Sequence, residues 1–453
     1  MWNKKFHLVL KAVLCTALLN MPICYAAHEQ NIAVVSTIDR NGQSTIRLVT
    51  NASTCPSILV NNQIQAMNTR ARPVEGTLSK DKPAIFPESV CELTLSSINQ
   101  QAKFDGKELP KINAEPKKIV LLGDTGCRMK APDEFQACEN ASLWPLAKVA
   151  VSAAAEKPDL VIHVGDYHYR ENKCTTPGCE KSPHGYGFDT WMADFFEPLK
   201  PLLEAAPWVF TRGNHESCQR AGQGWYRYLD PDPFKPERAC ETKDSIASEF
   251  SIPYAISLGP DQQLIVFDSS SALEKQTKDS DRVINAYQDQ FKVVAKLAEN
   301  KPNNWLVLHH PILGYGYLEN TGFYGGNYTL VKALELSQHA SLFPKNVQLT
   351  LQGHIHTFEL NSFDNNAPLS LITGFGGSLL EPTFTEPLPA NFEMVKGIKT
   401  IQSLSSQNYG YSMLEKINDG WVLKQKDING KTRLTCHLDL SGSPEKFSCQ
   451  AEK

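Results

Sequence analysis

The sequence predicts an α/β layered fold with a small N-terminal β domain. Three observations carry that expectation. From Lys118 onward, short apolar runs alternate with stretches of helical character. A polar cluster containing Asp, Asn or His follows several of those runs. Before about residue 113 the runs are short, alternate apolar with polar, and are separated by turn formers.

The elements follow in order. Ile32-Ala33-Val34-Val35, Thr45-Ile46-Arg47-Leu48-Val49 and Cys91-Glu92-Leu93-Thr94-Leu95 read as strands of a β domain over 27–113, with a Lys- and Pro-rich linker from Lys107 to Lys118. The rest, 114–453, reads as one larger domain. Its apolar runs Ile119–Leu122, Leu160–Val164, Trp208–Thr211, Leu264–Phe267, Trp305–Leu308, Val347–Leu351 and Leu369–Ile372 predict buried strands. Trp144–Ala155, Thr190–Leu203 and Ala286–Ala298 predict helices. Tyr411–Leu438, with turns at Asn418-Asp419-Gly420 and Asn429-Gly430, predicts antiparallel strands that close the sheet. Three long loops rich in Gly, Tyr and Pro, over 170–188, 217–248 and 314–328, are expected to be functional.

The N-terminus reads as a secretory signal peptide over 1–26. Lys4-Lys5 precede an apolar stretch, Leu8–Leu19, broken only by Lys11, and Cys24-Tyr25-Ala26 forms a cleavage site near Ala26. The mature chain is therefore expected to be secreted or periplasmic. Past residue 30 no run is long enough for a membrane span. A formal net charge of −4 makes no case for nucleic acid or an anionic membrane. Oligomeric state is not legible.

Of 12 cysteines, Cys15 and Cys24 leave with the signal. An even set remains, which suits disulfides in an oxidising compartment better than zinc, since no paired C-x₂-C units occur. Neighbour pairing predicts Cys55–Cys91, Cys127–Cys138, Cys174–Cys179, Cys218–Cys240 and Cys436–Cys449. The sequons at Asn51, Asn140 and Asn327 matter only in a eukaryotic secretory route.

Five polar clusters sit at strand ends. They are Gly123-Asp124-Thr125-Gly126, Gly165-Asp166-Tyr167-His168-Tyr169, Gly213-Asn214-His215-Glu216, His309-His310-Pro311 and Gly353-His354-Ile355-His356. Open α/β sheets place ligands at that edge. Asp124, Asp166 and Tyr169 offer hard anionic oxygens; Asn214, His309, His354 and His356 are neutral donors. Hard oxygen anions suit a trivalent ion and imidazole suits Fe(II) or Zn(II). A phenol with an ordinary pKa of about 10 binds as phenolate only beside a strong Lewis acid. Asp166, between two such sets, is the expected bridge of a two-metal site.

These clusters resemble the calcineurin-like metallophosphoesterase signature, specifically that of purple acid phosphatases. The broad superfamily has D-x-H first; here Gly126 takes the third place, and G-D-x-x-Y at Gly165–Tyr169 compensates, as in the purple acid phosphatase subgroup. The resemblance runs from about Lys118 to Gly377 and leaves 27–113 uncovered. It implies a layered metallophosphoesterase sandwich of mixed β-sheets flanked by helices. It also implies a binuclear metal centre, with Fe(III) held by Asp124, Tyr169 and His356, and Zn(II), Fe(II) or Mn(II) held by Asn214, His309 and His354. Asp166 would bridge. The family's H-x-P assigns His309 rather than His310 as ligand. His215 would contact the substrate phosphate or protonate the leaving oxygen. His310, His168 and His184 are further candidates for substrate contact.

What the resemblance implies is a secreted acid phosphatase that hydrolyses small phosphate monoesters by attack of a metal-bound hydroxide. Its rivals are a phosphodiesterase acting on nucleotides or lipid headgroups on the same scaffold, and a secreted binding protein or adhesin with a vestigial metal site.

Overall fold

A computed structural model describes residues 31–74, 82–240, 248–318, 322–337, 342–383, 388, 392–418, 420–441 and 446–452. The expected signal peptide lies outside them. Two large sheets stack face to face. The first runs, edge to edge, through Phe447–Ala451, Thr432–Leu438, Gly420–Asp427, Gly410–Ile417, Lys118–Leu122, Leu160–His163, Trp208–Phe210, Asn31–Ile38, Ser44–Thr50, Ser89–Thr94 and Asn68–Ala71. The second runs through Tyr254–Ser257, Gln262–Val266, Asn303–Val307, Val347–Gln352, Leu369–Thr373, Phe358–Phe363 and Thr400–Ser406.

The central strands are apolar in unbroken runs because both of their faces are covered. Ile119, Leu121, Leu160 and Ile162 point inward and meet Leu264, Trp305, Leu349 and Leu371 of the second sheet. Val120, Leu122, Val161 and Trp208 point outward beneath Leu146–Ala155 and the helical stretch ending at Leu203. On the far side, Ile265, Leu306 and Leu308 pack against Ser280–Ala298. The result is helix, sheet, sheet, helix. Truncating an inward leucine such as Leu121, fully buried, costs about 2–5 kcal/mol.

All seven expected strands form, and so do the antiparallel C-terminal strands. The expected helix over Thr190–Leu203 forms in three pieces. Phe188–Trp191 and Glu197–Leu203 are α-helical, and Met192–Phe196 between them is a π-helix. Pro198 and Pro201 lack the N–H that regular α pairing needs, so the backbone widens one turn earlier. Phe358–Phe363 and Thr400–Ser406 had no clear sequence signal, since Asn361 and Ser362 interrupt the apolar pattern.

One expectation needs correction. Residues 27–113 were expected to form a separate β domain, yet four of their strands extend the first sheet. Asn31–Ile38 pairs in parallel with Trp208–Phe210, with Thr37 opposite Trp208. Only Ser57–Val60, Gln63–Ala66, Ala102–Phe104 and Lys107–Glu108 form a sheet of their own. The expected boundary at 113/114 thus divides a continuous sheet, and the expected linker begins with a strand. Periodicity reports that a strand buries one face; it does not report which edge it joins.

All five neighbour disulfides are present: Cys55–Cys91, Cys127–Cys138, Cys174–Cys179, Cys218–Cys240 and Cys436–Cys449. Among the described residues no helix is long and apolar enough to cross a membrane. The sequon residue Asn327 is buried. Its side chain accepts from Leu330 N at the start of Tyr328–Leu336 and donates to Glu274 Oε1 at 3.0 Å.

Candidate metal centre

The five clusters leave parallel strands of both sheets at their carboxyl ends, where the sheets face each other, and their side chains converge. Tyr169 Oη lies 3.0 Å from Asp124 Oδ1, 2.9 Å from Asp166 Oδ2 and 2.8 Å from His356 Nε2. His309 Nε2 lies 3.0 Å from Asn214 Oδ1 and 3.1 Å from Asp166 Oδ2. His354 Nδ1 lies 3.1 Å from Asn214 Oδ1. Asp166, His309 and His354 bring donor atoms within 4.8 Å of one another. Two donor groups therefore meet at a single oxygen, Asp166 Oδ2.

Backbone geometry is specialised here. Asp124, Asp166 and His354 have φ of 53°, 58° and 71°, the left-handed region that non-glycine residues avoid. Each costs about 1–3 kcal/mol and persists only where neighbours fix it. Asp124 N donates to Gly165 O, Asp166 N to Glu216 Oε2 and His354 N to Asp124 Oδ2, at 3.1, 3.0 and 2.9 Å. Two glycines give the room. A Cβ on Gly213 would collide with the Asp166 carboxylate. A Cβ on Gly126 would press on Tyr167 O at 2.7 Å and Tyr169 N at 2.8 Å. The missing side chain of D-x-G thus vacates the space through which the Tyr169 loop passes.

The donors fit cations better than they fit one another. Tyr169 has one proton for three surrounding acceptors: His356 Nδ1 is held by Leu379 O at 2.7 Å, which leaves Nε2 as a lone pair in the neutral ring. His309 Nδ1 is likewise held by Val164 O at 2.9 Å, so Nε2 faces Asn214 Oδ1 and Asp166 Oδ2 with no proton to share. Burial, then the Asp166 and Asp124 carboxylates, push the Tyr169 phenol well above its ordinary range. Only a positive charge beside it would make it a phenolate.

His215 stands beside this cluster. Its backbone N donates to Asp166 Oδ1 at 2.8 Å, and its ring lies 3.8 Å, centroid to centroid, from Tyr169. Its Nδ1 is 2.8 Å from Glu171 Oε1, which also takes Arg220 Nε at 2.9 Å. Burial and Arg220 hold the imidazole down at about 3, against the upward pull of Asp166 and Glu171. The ring is therefore neutral until a further anion adjoins it.

The other expected histidines divide. His310 lies at the cluster's margin, its ring 4.4 Å from that of His354 and its Nε2 3.6 Å from Glu274 Oε1. His168 is not brought to the cluster: it is fully buried and pairs with Thr190 Oγ1 at 2.8 Å, beside Trp191. His184 lines a separate surface groove of about 580 Å³ with Asp133, Phe135 and Asn172. A cleft of about 560 Å³ between Val34, Phe104 and Phe196 also holds none of the donors.

Four carboxylates carry roles that sequence reading missed. Glu216 accepts from the backbone N of Asp166, Tyr167 and Gly213 at 3.0, 2.9 and 3.1 Å. Asp194, in the π-helix, accepts from Tyr169 N at 2.8 Å and Cys127 N at 3.0 Å. Glu274 Oε1 lies 3.2 Å from His354 Nε2 and steadies that ring from behind. Glu171 does the same for His215. Glu216 and Glu171 stand inside or beside the quoted clusters, so their position was a signal; Asp194 and Glu274 gave none. Ser269 accepts from the backbone N of both His309 and His310, at 3.1 and 3.0 Å.

A two-sheet α/β sandwich with this donor set at its carboxyl edge defines a metal-dependent phosphoester hydrolase. The calcineurin-like phosphoesterase family model matches residues 117–358, more than half of the chain, and the chain belongs to that family. Its fold is shared with purple acid phosphatase PPD1 from yellow lupin (Lupinus luteus) seeds at 13% identity and a TM-score of 0.52, covering 92% of this chain and 73% of that one. It is shared also with PhoD at 11% identity and a TM-score of 0.55, covering 93% and 92%. No curated protein sequence matches the chain. The family fold implies a binuclear metal centre, and the converging His and Asp side chains could hold it.

Proposed function

We propose that the protein is a secreted acid phosphatase that hydrolyses phosphate monoesters at a binuclear centre of the purple acid phosphatase type. The observation that carries this is the convergence of Tyr169 and His309 on one oxygen of Asp166. Asp124, Tyr169 and His356 would hold a ferric ion, and Asn214, His309 and His354 would hold Zn(II), Fe(II) or Mn(II). A cation pair held there supplies Lewis acidity to a water and offsets phosphate charge.

The chain's own groups do the rest. Asp124, Asp166, Tyr169 and His309 lie almost entirely out of solvent, whereas His354 is about a quarter exposed. Substrate is therefore received on the His354 side. His215 Nδ1 meets Glu171 Oε1 and its Nε2 lies 3.9 Å from Asp166 Oδ2, with Arg220 Nη2 2.6 Å from both ring nitrogens. A phosphate arriving there adds negative charge beside a neutral ring and raises its proton affinity. His215 then shares a proton with the ester and can release it to the leaving oxygen. Secretion is supported by the five disulfides.

The test is metal analysis with a visible spectrum of the purified protein, followed by parallel assays on a monoester and a diester. Iron with a phenolate-to-iron band, and faster monoester turnover at acidic pH, is the expected result. Faster diester turnover, or activity confined to alkaline pH, would overturn monoester specificity or the ferric site respectively. Hydrolysis in ¹⁸O-water should label phosphate directly, with no trapped phosphoenzyme.

A further inference from the structure

We infer that the N-terminal β region, 31–108, is a positioning element of the hydrolytic site, and that Lys82 and Arg70 act on the reaction through His215. The inference rests on the reading of His215 given above and deepens it.

The region grips the His215 segment from two sides. On one side lies Glu171, whose Oε1 holds His215 Nδ1. Its other oxygen, Oε2, takes Lys82 Nζ at 3.2 Å and Tyr186 Oη at 2.9 Å. Lys82 also donates to Tyr186 Oη at 3.1 Å. The loop carrying Tyr186 is zipped to the same N-terminal segment: Tyr186 N donates to Pro83 O at 2.6 Å and Phe188 N to Ile85 O at 2.9 Å. Without Lys82, Glu171 keeps Arg220 on one oxygen but loses the charge that fixes its second. Tyr186 Oη remains on Oε2 and Arg220 Nη2 stays 2.6 Å from both His215 ring nitrogens, so the Glu171 carboxylate and the ring it holds are loosened rather than freed.

On the other side, His215 O accepts from Ala221 N at 3.0 Å and so joins the start of helix Gly222–Tyr228. That helix is docked into the N-terminal strands. Arg70 Nη2 donates to Tyr226 O at 2.9 Å and Arg70 Nε to Arg227 O at 3.0 Å. Arg47 Nη1 donates to Tyr228 O at 2.8 Å. These are the orphan carbonyls of the last turn, and two cations there also suit the negative end of the helix. Both guanidiniums are buried, and both reach Glu92 Oε2 at 2.8 Å. The contact is returned: Arg227 Nη2 donates to Arg72 O at 2.8 Å, and Tyr228 Oη bonds Glu88 Oε1. The Cys218–Cys240 bridge closes the loop, and Arg212 ties Glu216 O to Tyr226 Oη at 2.8 and 3.0 Å.

This arrangement assigns a role to a segment that carries none of the metal-cluster donors.

The test uses the full metal-loaded chain with Lys82→Met, Lys82→Arg, Arg70→Lys and His215→Ala, alone and combined. Lys82 is about one-third exposed, so Lys82→Met should fold. Lys82→Met and Arg70→Lys should each lower kcat/KM by about tenfold, with metal content unchanged. Lys82→Arg should restore most of the loss. In the His215→Ala background, Lys82→Met and Arg70→Lys should each change kcat/KM by less than about twofold, because their effect passes through the missing ring. The same loss with and without His215, or no loss from Lys82→Met, overturns the inference. Should Arg70→Lys not fold, the Lys82 cycle decides alone. If His215→Ala itself leaves turnover intact, the role given to His215 has failed instead, and the two failures are told apart.

Discussion

Asp166 and Tyr169 meet oxygen to oxygen, 2.9 Å apart, on one side of a carboxylate whose same atom faces His309. Two residues of sequence lie between them, and the left-handed turn at Asp166 swings the phenol back over it. Asp166→Asn keeps the shape but removes the charge that both donor groups share. It should lower kcat by at least about 10²-fold and reduce bound metal below two ions per chain. Full turnover with two ions bound would remove Asp166 from the centre. Tyr169→Phe should abolish the visible band whether or not activity survives.

Gly213 faces the same carboxylate. Gly213→Ala should push Asp166 out of line, lowering metal content and activity together and costing about 1–3 kcal/mol of stability. Thermal melts and metal analysis read both. An alanine variant with two metals and ordinary kcat would show that the backbone there yields without consequence.

Glu359 gives a pH prediction away from the centre. It is fully buried on Phe358–Phe363 and accepts from Tyr315 N at 3.0 Å through Oε2. Burial pushes its carboxyl up to about 8. The group is raised above its unfolded value of about 4.5, so its stabilising contribution is complete below that pH and is lost as pH rises through about 8. Glu359→Gln should flatten this part of the stability curve, by on the order of a few kcal/mol at alkaline pH, with little change at pH 4. Equal effects of the substitution at both pH values would contradict the assignment.

Asn327 should escape glycosylation even when the chain is expressed through a eukaryotic secretory route, because its amide caps a helix from inside the protein. Glycan mapping checks this against Asn51, which is exposed. Asn327→Ala should cost about 1 kcal/mol as a lost cap.

Sequence alone showed seven strands of the two main sheets and the five polar clusters at strand ends, and neighbour pairing pointed to the disulfides. Each is a local property: a run of buried residues, a polar residue just past it, a cysteine close to another. Tertiary structure decided what those local properties could not carry. It put Thr37 beside Trp208 and so made the N-terminal strands part of the main sheet. It turned His168 away onto Thr190 while Tyr169, one residue on, reached His356 nearly two hundred residues distant. It gave Glu274 and Asp194 their work, because a carboxylate's role depends on which donors lie within about 3 Å. Those donors arrive from other strands, in a register set by the packing of both sheets rather than by the residues on either side.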